Sequence, residues 1–186
     1  ASNSGNSAAE YNRFMACLFP ASQLRILPYN RCVKDLNGLF EDEFLNKVAE
    51  KFTVIDVDSP EVDSTCSCAM YLGGRWRRLR WALPASVAND PVSQLDVSRL
   101  QEDLLAPILG IGDPRTDTRI FFVGGIRGNS ELVRRVKSGD AAVAFAMYPT
   151  TIEQMMAIAD AGQTMPPKST WFEPKLRSGL LIHTLD

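Results

Sequence analysis

The sequence predicts an α/β or α+β fold in which a mixed sheet is flanked by helices, arranged as one body or as two small lobes. Runs of branched and aromatic residues indicate strands, and apolar residues at helical spacing indicate helices. The two kinds of segment alternate through most of the chain, as they do where helices cover a sheet. With 186 residues, of which 45% are apolar, the chain is long enough to bury its own core.

Strands are predicted first at Tyr11 to Phe19 and at Leu24 to Val33, where aromatic and branched residues are concentrated and Pro28 interrupts the second run. A helix follows Gly38, because apolar residues recur there every four positions on one helical stripe. The stripe consists of Phe40, Phe44, Val48 and Phe52. The next strand is predicted at Thr53 to Val57. These elements indicate a helix that packs on a sheet.

A hairpin is predicted next, with Cys66 to Leu72 and Arg75 to Leu83 as its strands and Gly73 and Gly74 as its turn. A Gly-Gly pair tolerates the positive φ angles that a tight turn needs. Beyond the hairpin, Asp96 is the predicted N-cap of a further helix. The apolar stripe of that helix, which Gly110 ends, consists of Val97, Leu100, Leu104 and Ile108.

The rest of the chain alternates between short strands and helices. Strands are predicted at Thr118 to Val123, Ala141 to Met147 and Leu180 to Ile182, and helices at Asn129 to Ser138 and Thr150 to Ala161. Thr150 and Glu153 have the spacing of a capping box. We expect the strands at 118–123 and 141–147 to be buried in the central sheet, because the second of them is apolar on both faces.

The predicted domain organisation is simple. Residues 1–9, rich in Ser, Asn, Gly and Ala, predict a flexible leader without the basic and apolar regions of a signal peptide. Residues 10–186 form the folded part, with a polar link at 84–96 as the seam between lobes. No apolar run reaches the roughly 18 residues of a membrane span. These features predict a cytoplasmic protein that does not enter the membrane.

The charge balance bears on the class of partner. Twenty basic and 22 acidic residues give a formal net charge of −2 and a pI near 5.5. Such a chain has no overall positive field to hold nucleic acid or an anionic membrane surface. Nucleic acid is therefore the weakest of the partner hypotheses.

The cysteines and the single histidine do not predict a metal site or a catalytic base. Cys66 and Cys68 form a C-x-C pair whose spacing is too short for the usual zinc half-site, so both are predicted to be reduced and metal-free. His183 lies three residues from the end of the sequence, where a general base would be poorly held. We therefore expect no metal, and the sequence identifies neither a cofactor nor catalytic residues.

The segment from Met165 to Lys175 is the first candidate for a ligand site. Its prolines restrict the backbone, and Lys168, Ser169, Thr170 and Lys175 supply ammonium and hydroxyl donors for a phosphate or carboxylate group. The alternative is a rigid strap whose lysines are solvated and whose aromatic residues are buried.

Two further segments carry polar groups next to predicted strands. The run from Tyr29 to Asp35 offers Asn30, Arg31, Lys34 and Asp35, at a strand end where α/β and α+β proteins place their sites. A glycine-rich turn places Arg127 before a helix, where backbone N–H groups and a cation could meet an anion. The alternatives are that Asp35 or Asn37 caps the next helix, and that the glycine-rich turn is a close-packed turn capped by Asn129.

Four segments closely resemble the domain of unknown function 1015 family. They are Leu18 to Leu24, Tyr29 to Leu36, Ala144 to Pro149 and Met165 to Leu180, and they follow the family's order across nearly the whole chain. The resemblance implies that this chain is the C-terminal part of a longer protein. Full-length members carry an upstream Asp-Gly-His-His-Arg motif that resembles the ParB and sulfiredoxin superfamily, which includes a free-serine kinase. That motif is absent here, so the missing N-terminal half would hold the reactive centre.

The resulting hypothesis is a ligand-binding half of a larger protein, which takes part in phosphoryl transfer or binds a phosphate-bearing metabolite of serine metabolism. The alternative is a structural or protein-interaction domain without catalytic activity. The first hypothesis makes a geometric demand: Lys168, Ser169 and Thr170 should meet Asn30, Arg31 and Lys34 at one polar cleft.

Overall fold

A six-stranded antiparallel sheet is the main element of the computed structural model, which describes residues 9–175, 177 and 179–184. The predicted fold class is confirmed, but the sheet, which was expected to be mixed, is antiparallel at every junction. This pairing places the fold on the α+β side of the prediction. Within the described residues, no helix is both long enough and apolar enough to cross a bilayer. The predicted leader, apart from residue 9, lies outside the described residues.

The strand order in the large sheet is β3-β5-β4-β7-β2-β6, and β1 and β8 form a second, two-stranded sheet. The strands are β1 Arg25–Leu27, β2 Tyr29–Val33, β3 Thr53–Val57, β4 Ser67–Leu72, β5 Arg75–Arg80, β6 Ile120–Gly124, β7 Val143–Met147 and β8 Trp171–Glu173. The helices are α1 Glu41–Ala49, α2 Asp96–Leu100, α3 Gly128–Lys137 and α4 Ile152–Asp160. A π-helical segment, Gln101–Leu105, continues α2.

The chain divides into two compact units. The larger unit, Ile26–Trp171, contains the six-stranded sheet and all four α-helices, and the smaller unit consists of Ala1–Arg25 and Phe172–Asp186. The predicted lobe seam at 84–96 lies inside the larger unit, and a division of the chain there stays a prediction.

One face of the large sheet carries large apolar side chains that pack on two helical segments. Met70, Leu72 and Phe145 from the sheet share a core with residues of α1 and of the helical segment that includes α2. The residues that those segments contribute are Phe44, Val48, Leu95, Val97, Leu100, Leu104, Leu105 and Ile108. Each is at most 8% exposed, so the apolar stripes that the sequence predicts do form this core.

The other face of the sheet is built from smaller side chains. Ala69, Ala144 and Ala146 pack with Cys32 and with Leu132 of α3 in a second buried cluster. Alternating residues of a strand point to opposite faces, so one apolar strand such as β7 supplies both cores. All five residues of β7 are buried, which confirms the expectation for this strand. The other strand expected to be buried, β6, lies at the sheet edge, and its Phe121 and Phe122 are half-buried.

Two predicted strands do not form. Residues 11–19 contain part of a 3-10 turn, Glu10–Asn12, and otherwise no regular structure, and Phe14 and Leu18 are 85% and 94% exposed. Leu180 to Ile182 are likewise exposed and outside any strand. Branched and aromatic composition favours a strand only where neighbours pack on it, and these segments belong to the smaller unit without such packing.

The predicted helix starts are each displaced slightly. Phe40 is the exposed N-cap of α1 and does not belong to its buried stripe. Leu95, not Asp96, is the N-cap of α2, because the Asp96 carboxylate is turned inward and accepts the Cys66 N–H at 2.8 Å. The capping box of α4 uses Thr151 and Gln154, one residue later than predicted.

Candidate functional site

The segment Met165 to Thr170, called the strap below, is tied to the rest of the larger unit through its main chain. Arg31 Nη2 donates to the carbonyl oxygen of Lys168 at 3.2 Å, and Thr150 Oγ1 donates to that of Ser169 at 3.2 Å. Arg31, Thr150 and Ser169 are all buried. Lys168 itself has a φ of 57°, a conformation that non-glycine residues adopt only where their surroundings impose it. The strap backbone is thus fixed while the Lys168 side chain stays exposed.

The Lys168 ammonium group lies over one ring of an aromatic cluster. Its Nζ lies 5.4 Å from the centroid of the Tyr29 ring, within the range of a cation–π contact. The Tyr29 ring lies 5.3 Å from Trp171 and meets Phe122 edge-on at 6.5 Å. Trp171 occupies space that only glycine leaves open, because a Cβ on Gly124 would be 2.4 Å from its Cζ3 atom. The rings therefore form a packed wall at one end of β6.

A cleft of about 710 Å³ follows β6, and all five residues of that strand line it. Besides β6, the lining residues are Tyr29, Pro114, Arg115, Asp117, Arg127, Arg135, Pro167, Lys168 and Trp171. β6 is an edge strand of the large sheet, paired only with β2 within the described part of the chain. The cleft is therefore partly aromatic, partly basic and open to solvent at a sheet edge.

The hydrogen-bond register shows which backbone groups of β6 face the cleft. Lys34 N–H donates to Arg119 at 2.9 Å, and Gly125 N–H donates to Pro28 at 2.8 Å. Hydrogen-bonded positions alternate along an antiparallel pair, so the backbone N–H and C=O groups of residues 120, 122 and 124 point away from β2. Within the described residues, no strand pairs with the outward groups of Ile120 and Phe122, whereas Gly124 leads directly into the 3-10 turn Gly125–Arg127.

Four basic side chains line the cleft, and two of them are already paired. Arg115 contacts Asp113 at 2.7 Å. Arg135 contacts Glu131 at 2.7 Å and Asp140 at 3.1 Å. Hydrogen bonds from arginine side chains hold the pKa of Glu131 at about 2, so this carboxylate stays charged at neutral pH.

The other two basic residues of the cleft, Arg127 and Lys168, make no ion pair with any described residue. The cleft's acidic residue, Asp117, contacts Arg119 at 3.1 Å, and hydrogen bonding to Arg119 lowers its pKa. The charge available to a ligand is therefore positive and comes from Arg127 and Lys168.

The structure brings together some of the predicted site residues. Lys168 and Arg127 line the same cleft, and Arg31 contacts the strap directly. Ser169 is buried and donates to Pro166, while Thr170 is half-buried. Lys168 and Arg127 are thus placed to meet a ligand in the cleft, and Ser169 shapes the strap.

The demand that Asn30 and Lys34 also face the strap is not met. Asn30 is buried, and its Oδ1 accepts the Met147 N–H at 3.0 Å, which is a structural use. Lys34 and Asp35 follow the opposite end of β2, about 16 Å along the strand from Tyr29. Asn30 is separated from Arg31 because neighbouring side chains of a strand point to opposite faces of the sheet, and Lys34 is separated by the length of β2.

Two other predicted site residues have different surroundings. Asp35 Oδ1 accepts the N–H of Asn37 at 2.9 Å and lies 3.4 Å from Arg119, so its carboxylate shapes the turn before α1. Lys175 belongs to the smaller unit and is exposed. A ligand role for either residue stays a prediction.

The glycine-rich turn before α3 follows the close-packed interpretation. A Cβ on Gly125 would lie 2.7 Å from Pro28, so this position leaves no room for a side chain. Arg127, not Asn129, is the N-cap residue of α3, and it makes no side-chain capping bond. The Arg127 side chain is therefore exposed beside the cleft instead of being used by the helix.

Sequence reasoning missed Arg115, Arg135 and Phe122 as cleft residues. Arg135 belongs to α3 and lies 5.7 Å from the Phe121 ring, and Arg115 belongs to a loop. Their approach to the cleft depends on β6 being at the sheet edge, and no local pattern in the sequence carries that information.

The cysteines are unpaired, and Cys32 and Cys68 are fully buried. Burial raises the pKa of Cys32 to about 12 and raises that of Cys68 further, so neither is a reactive thiolate at neutral pH. Within the described residues, no cluster of His, Cys, Asp and Glu is arranged to hold a metal ion. His183 Nε2 lies 2.8 Å from Glu10, inside the smaller unit.

Comparison with solved structures gives distant similarities only. A free serine kinase in complex with AMP is 14% identical to this chain with a TM-score of 0.45, over 82% of this chain and 55% of the kinase. A mutant of that kinase, also with AMP, is 13% identical with a TM-score of 0.47 over the same shares. A conserved hypothetical protein from Pyrococcus furiosus is 14% identical with a TM-score of 0.45, over 81% of this chain and 56% of the other. The chain thus spans about half the length of these structures.

No curated protein matches the sequence. A family described as "Protein of unknown function (DUF1015)" matches residues 1–98, which is more than half of the chain. The resemblance carried by the motifs of the first half is confirmed by this match. The chain belongs to the DUF1015 family of proteins of unknown function.

Proposed function

We propose that this chain is a ligand-binding part of a larger protein and that the cleft along β6 binds a phosphate-bearing small molecule. The observation that carries the proposal is a pair of cations, Arg127 and Lys168, that form no ion pair within the described part of the chain and lie in a cleft walled by the Tyr29 and Trp171 rings. Cations with free donors recognise phosphate, and aromatic walls accept the planar or apolar part of a metabolite.

The fixed strap supports this proposal. Lys168 is presented by a backbone that two buried side chains anchor, so little conformational freedom of the main chain is lost on binding. Its ammonium group is already positioned over the Tyr29 ring. As the family resemblance implies, we assign the reactive groups to a partner segment outside this chain. The proposed reaction is phosphoryl transfer in serine metabolism, and the proposed location is the cytoplasm.

The test is isothermal titration of the chain with a nucleoside monophosphate, a sugar phosphate and inorganic phosphate. A charge-assisted contact to phosphate contributes about 1.5 to 3 kcal/mol, so Lys168→Ala should weaken binding roughly ten- to a hundredfold. The matched control is Lys51→Ala, because Lys51 is exposed and precedes β3, the strand at the opposite edge of the sheet. Equal affinities of the two variants, or the absence of binding by all three probes, would contradict the proposal.

A second candidate function is pairing with an extended acidic segment of another protein, which the free edge of β6 favours. Its outward backbone groups at residues 120 and 122 can pair with an added strand, and the basic residues along the cleft complement acidic side chains. An extended acidic peptide should then bind, and N-methylation of alternate peptide bonds should abolish the binding. If N-methylation has no effect, strand addition is wrong.

A further inference from the structure

Arg31 is a buried cation without an acidic partner. Its side chain donates to the carbonyl oxygens of Tyr29 and Lys168, and its Cζ atom lies 5.6 Å from the centroid of the Phe122 ring. It is 4% exposed, and no carboxylate of the described residues lies within ion-pair distance. Burial lowers the pKa of its guanidinium to about 10, so the group is still charged at neutral pH.

A buried charge is costly unless an opposite charge accompanies it. Carbonyl oxygens satisfy N–H donors of Arg31, but they leave its net charge uncompensated. A guanidinium with this environment is suited to an anion that comes from outside the chain.

A second cavity, of about 120 Å³, adjoins Arg31. It shares the walls Pro114, Phe122 and Pro167 with the cleft, but Lys168 does not line it. Its polar lining groups are Arg31, Ser98, Gln101 and Glu102, and the remaining walls are apolar. The Gln101 amide is already used, donating to the Ile111 carbonyl at 2.7 Å. Glu102 contacts a different arginine, Arg99, at 2.9 Å.

Ser98 is the polar group of this cavity that the fold does not use. The residue is 8% exposed, and its hydroxyl group, which forms no hydrogen bond with another described residue, keeps access to the cavity rather than being sealed in the core. Ser98 can therefore donate to a group that enters the cavity beside Arg31.

The backbone next to Ser98 is unusual in the same place. Residues 101–105 form a π-helix, in which Ala106 N–H donates to Gln101 at 2.9 Å across five residues. Single π turns inside α-helices are rare and occur frequently at functional sites. Three independent observations, namely the buried cation, the unused hydroxyl and the π turn, thus meet at one cavity.

We propose that this cavity binds a small oxyanion, such as a carboxylate or phosphate group, through the Arg31 guanidinium and the Ser98 hydroxyl. This site is distinct from the phosphate-binding cleft, because the Lys168 and Arg127 side chains do not line it. It therefore stands whether or not the cleft binds a metabolite.

The test follows the Arg31 Nε–Hε resonance by nuclear magnetic resonance while acetate or inorganic phosphate is added at constant ionic strength. The wild-type protein should show a saturable shift with at least one of the two anions, and the tighter one identifies the preferred group. Ser98→Ala should weaken that binding roughly tenfold, because one hydrogen bond to a charged group is lost. Ser98→Ala retains Arg31, so the anchor of the strap is kept.

Ser130→Ala is the matched control, since Ser130 is an exposed serine of α3. Lys168→Ala should leave the Arg31 response unchanged, which separates this site from the cleft. The absence of a saturable shift with both anions, or equal affinities of Ser98→Ala and Ser130→Ala, would overturn the proposal. A shift lost in Lys168→Ala and kept in Ser98→Ala would assign the anion to the cleft and likewise overturn it.

Discussion

Replacement of Gly124 by alanine should destabilise the protein through a direct clash with Trp171. Gly124 has φ −63° and ψ 139°, which alanine adopts freely, so backbone strain makes no contribution. The new Cβ would lie 2.4 Å from Cζ3 and 2.5 Å from Cε3 of the Trp171 ring. Overpacking of this kind costs about 1 to 3 kcal/mol, since a ring or the strand must shift.

The measurement is urea unfolding followed by circular dichroism, with thermal unfolding as a second readout. For a chain of this size each kcal/mol corresponds to about 2 to 4 °C in Tm, so we expect a fall of roughly 2 to 12 °C. Gly112→Ala is the matched control, because a Cβ there meets nothing within 4 Å and the backbone is not left-handed. That control should be neutral or stabilising by up to about 1 kcal/mol, because alanine restricts the unfolded chain.

A double-mutant cycle identifies the clash itself. In a Trp171→Leu background, Gly124→Ala should cost much less than in the wild type, because the ring that blocks the Cβ is gone. If the penalty is the same in both backgrounds, or if Gly124→Ala is as stable as Gly112→Ala, the clash is not the cause and the reasoning about the ring wall is wrong.

Two further predictions concern buried titratable groups. Burial raises the pKa of the Asp96 carboxyl group to about 6. The neutral carboxyl group therefore stabilises the folded protein fully at a pH below the unfolded-state pKa near 4, and this stabilisation is lost as the pH rises through 6. Asp96→Asn, which keeps an acceptor for the Cys66 N–H, should therefore stabilise the protein at pH 7 to 8 by about 1 to 3 kcal/mol and not at pH 4, as measured by urea unfolding. A thiol reagent should modify the exposed Cys17 in the native protein and leave Cys32 and Cys68 unmodified until the protein unfolds. Metal analysis of the purified protein should find no stoichiometric zinc. Rapid labelling of all four thiols in the native protein, or one zinc ion per chain, would contradict these expectations.

The regular elements could be predicted where local pattern and burial agree. β3 has the predicted bounds, and the Gly73-Gly74 turn has the positive φ angles, 57° and 79°, that the sequence implied. Prediction failed where a side chain had another use. Asp96 has the chemistry of a cap, yet it is directed to the Cys66 N–H, and the sequence does not show that contact.

The candidate site was predictable only in part for a similar reason. The strap and Arg31 were selected because each interrupts an apolar segment with polar groups, and they do meet. Arg115 and Arg135 line the cleft because β6 ends the sheet, and strand order is set by tertiary packing over long sequence distances. Lys34 does not join the site because it follows the end of β2 that lies away from the strap.

The strap is held through its main chain, so the course of its backbone does not depend on the chemistry of its side chain at position 168. Arg31 and Thr150 bind main-chain oxygens, which every amino acid supplies, so their grip does not depend on the side chain at position 168. The remaining constraint there is the left-handed backbone, which glycine and asparagine also accept. Position 168 can therefore exchange its charge, in evolution or by design, while the loop around it keeps its course, and ligand preference at this edge of the sheet can change without refolding the strap.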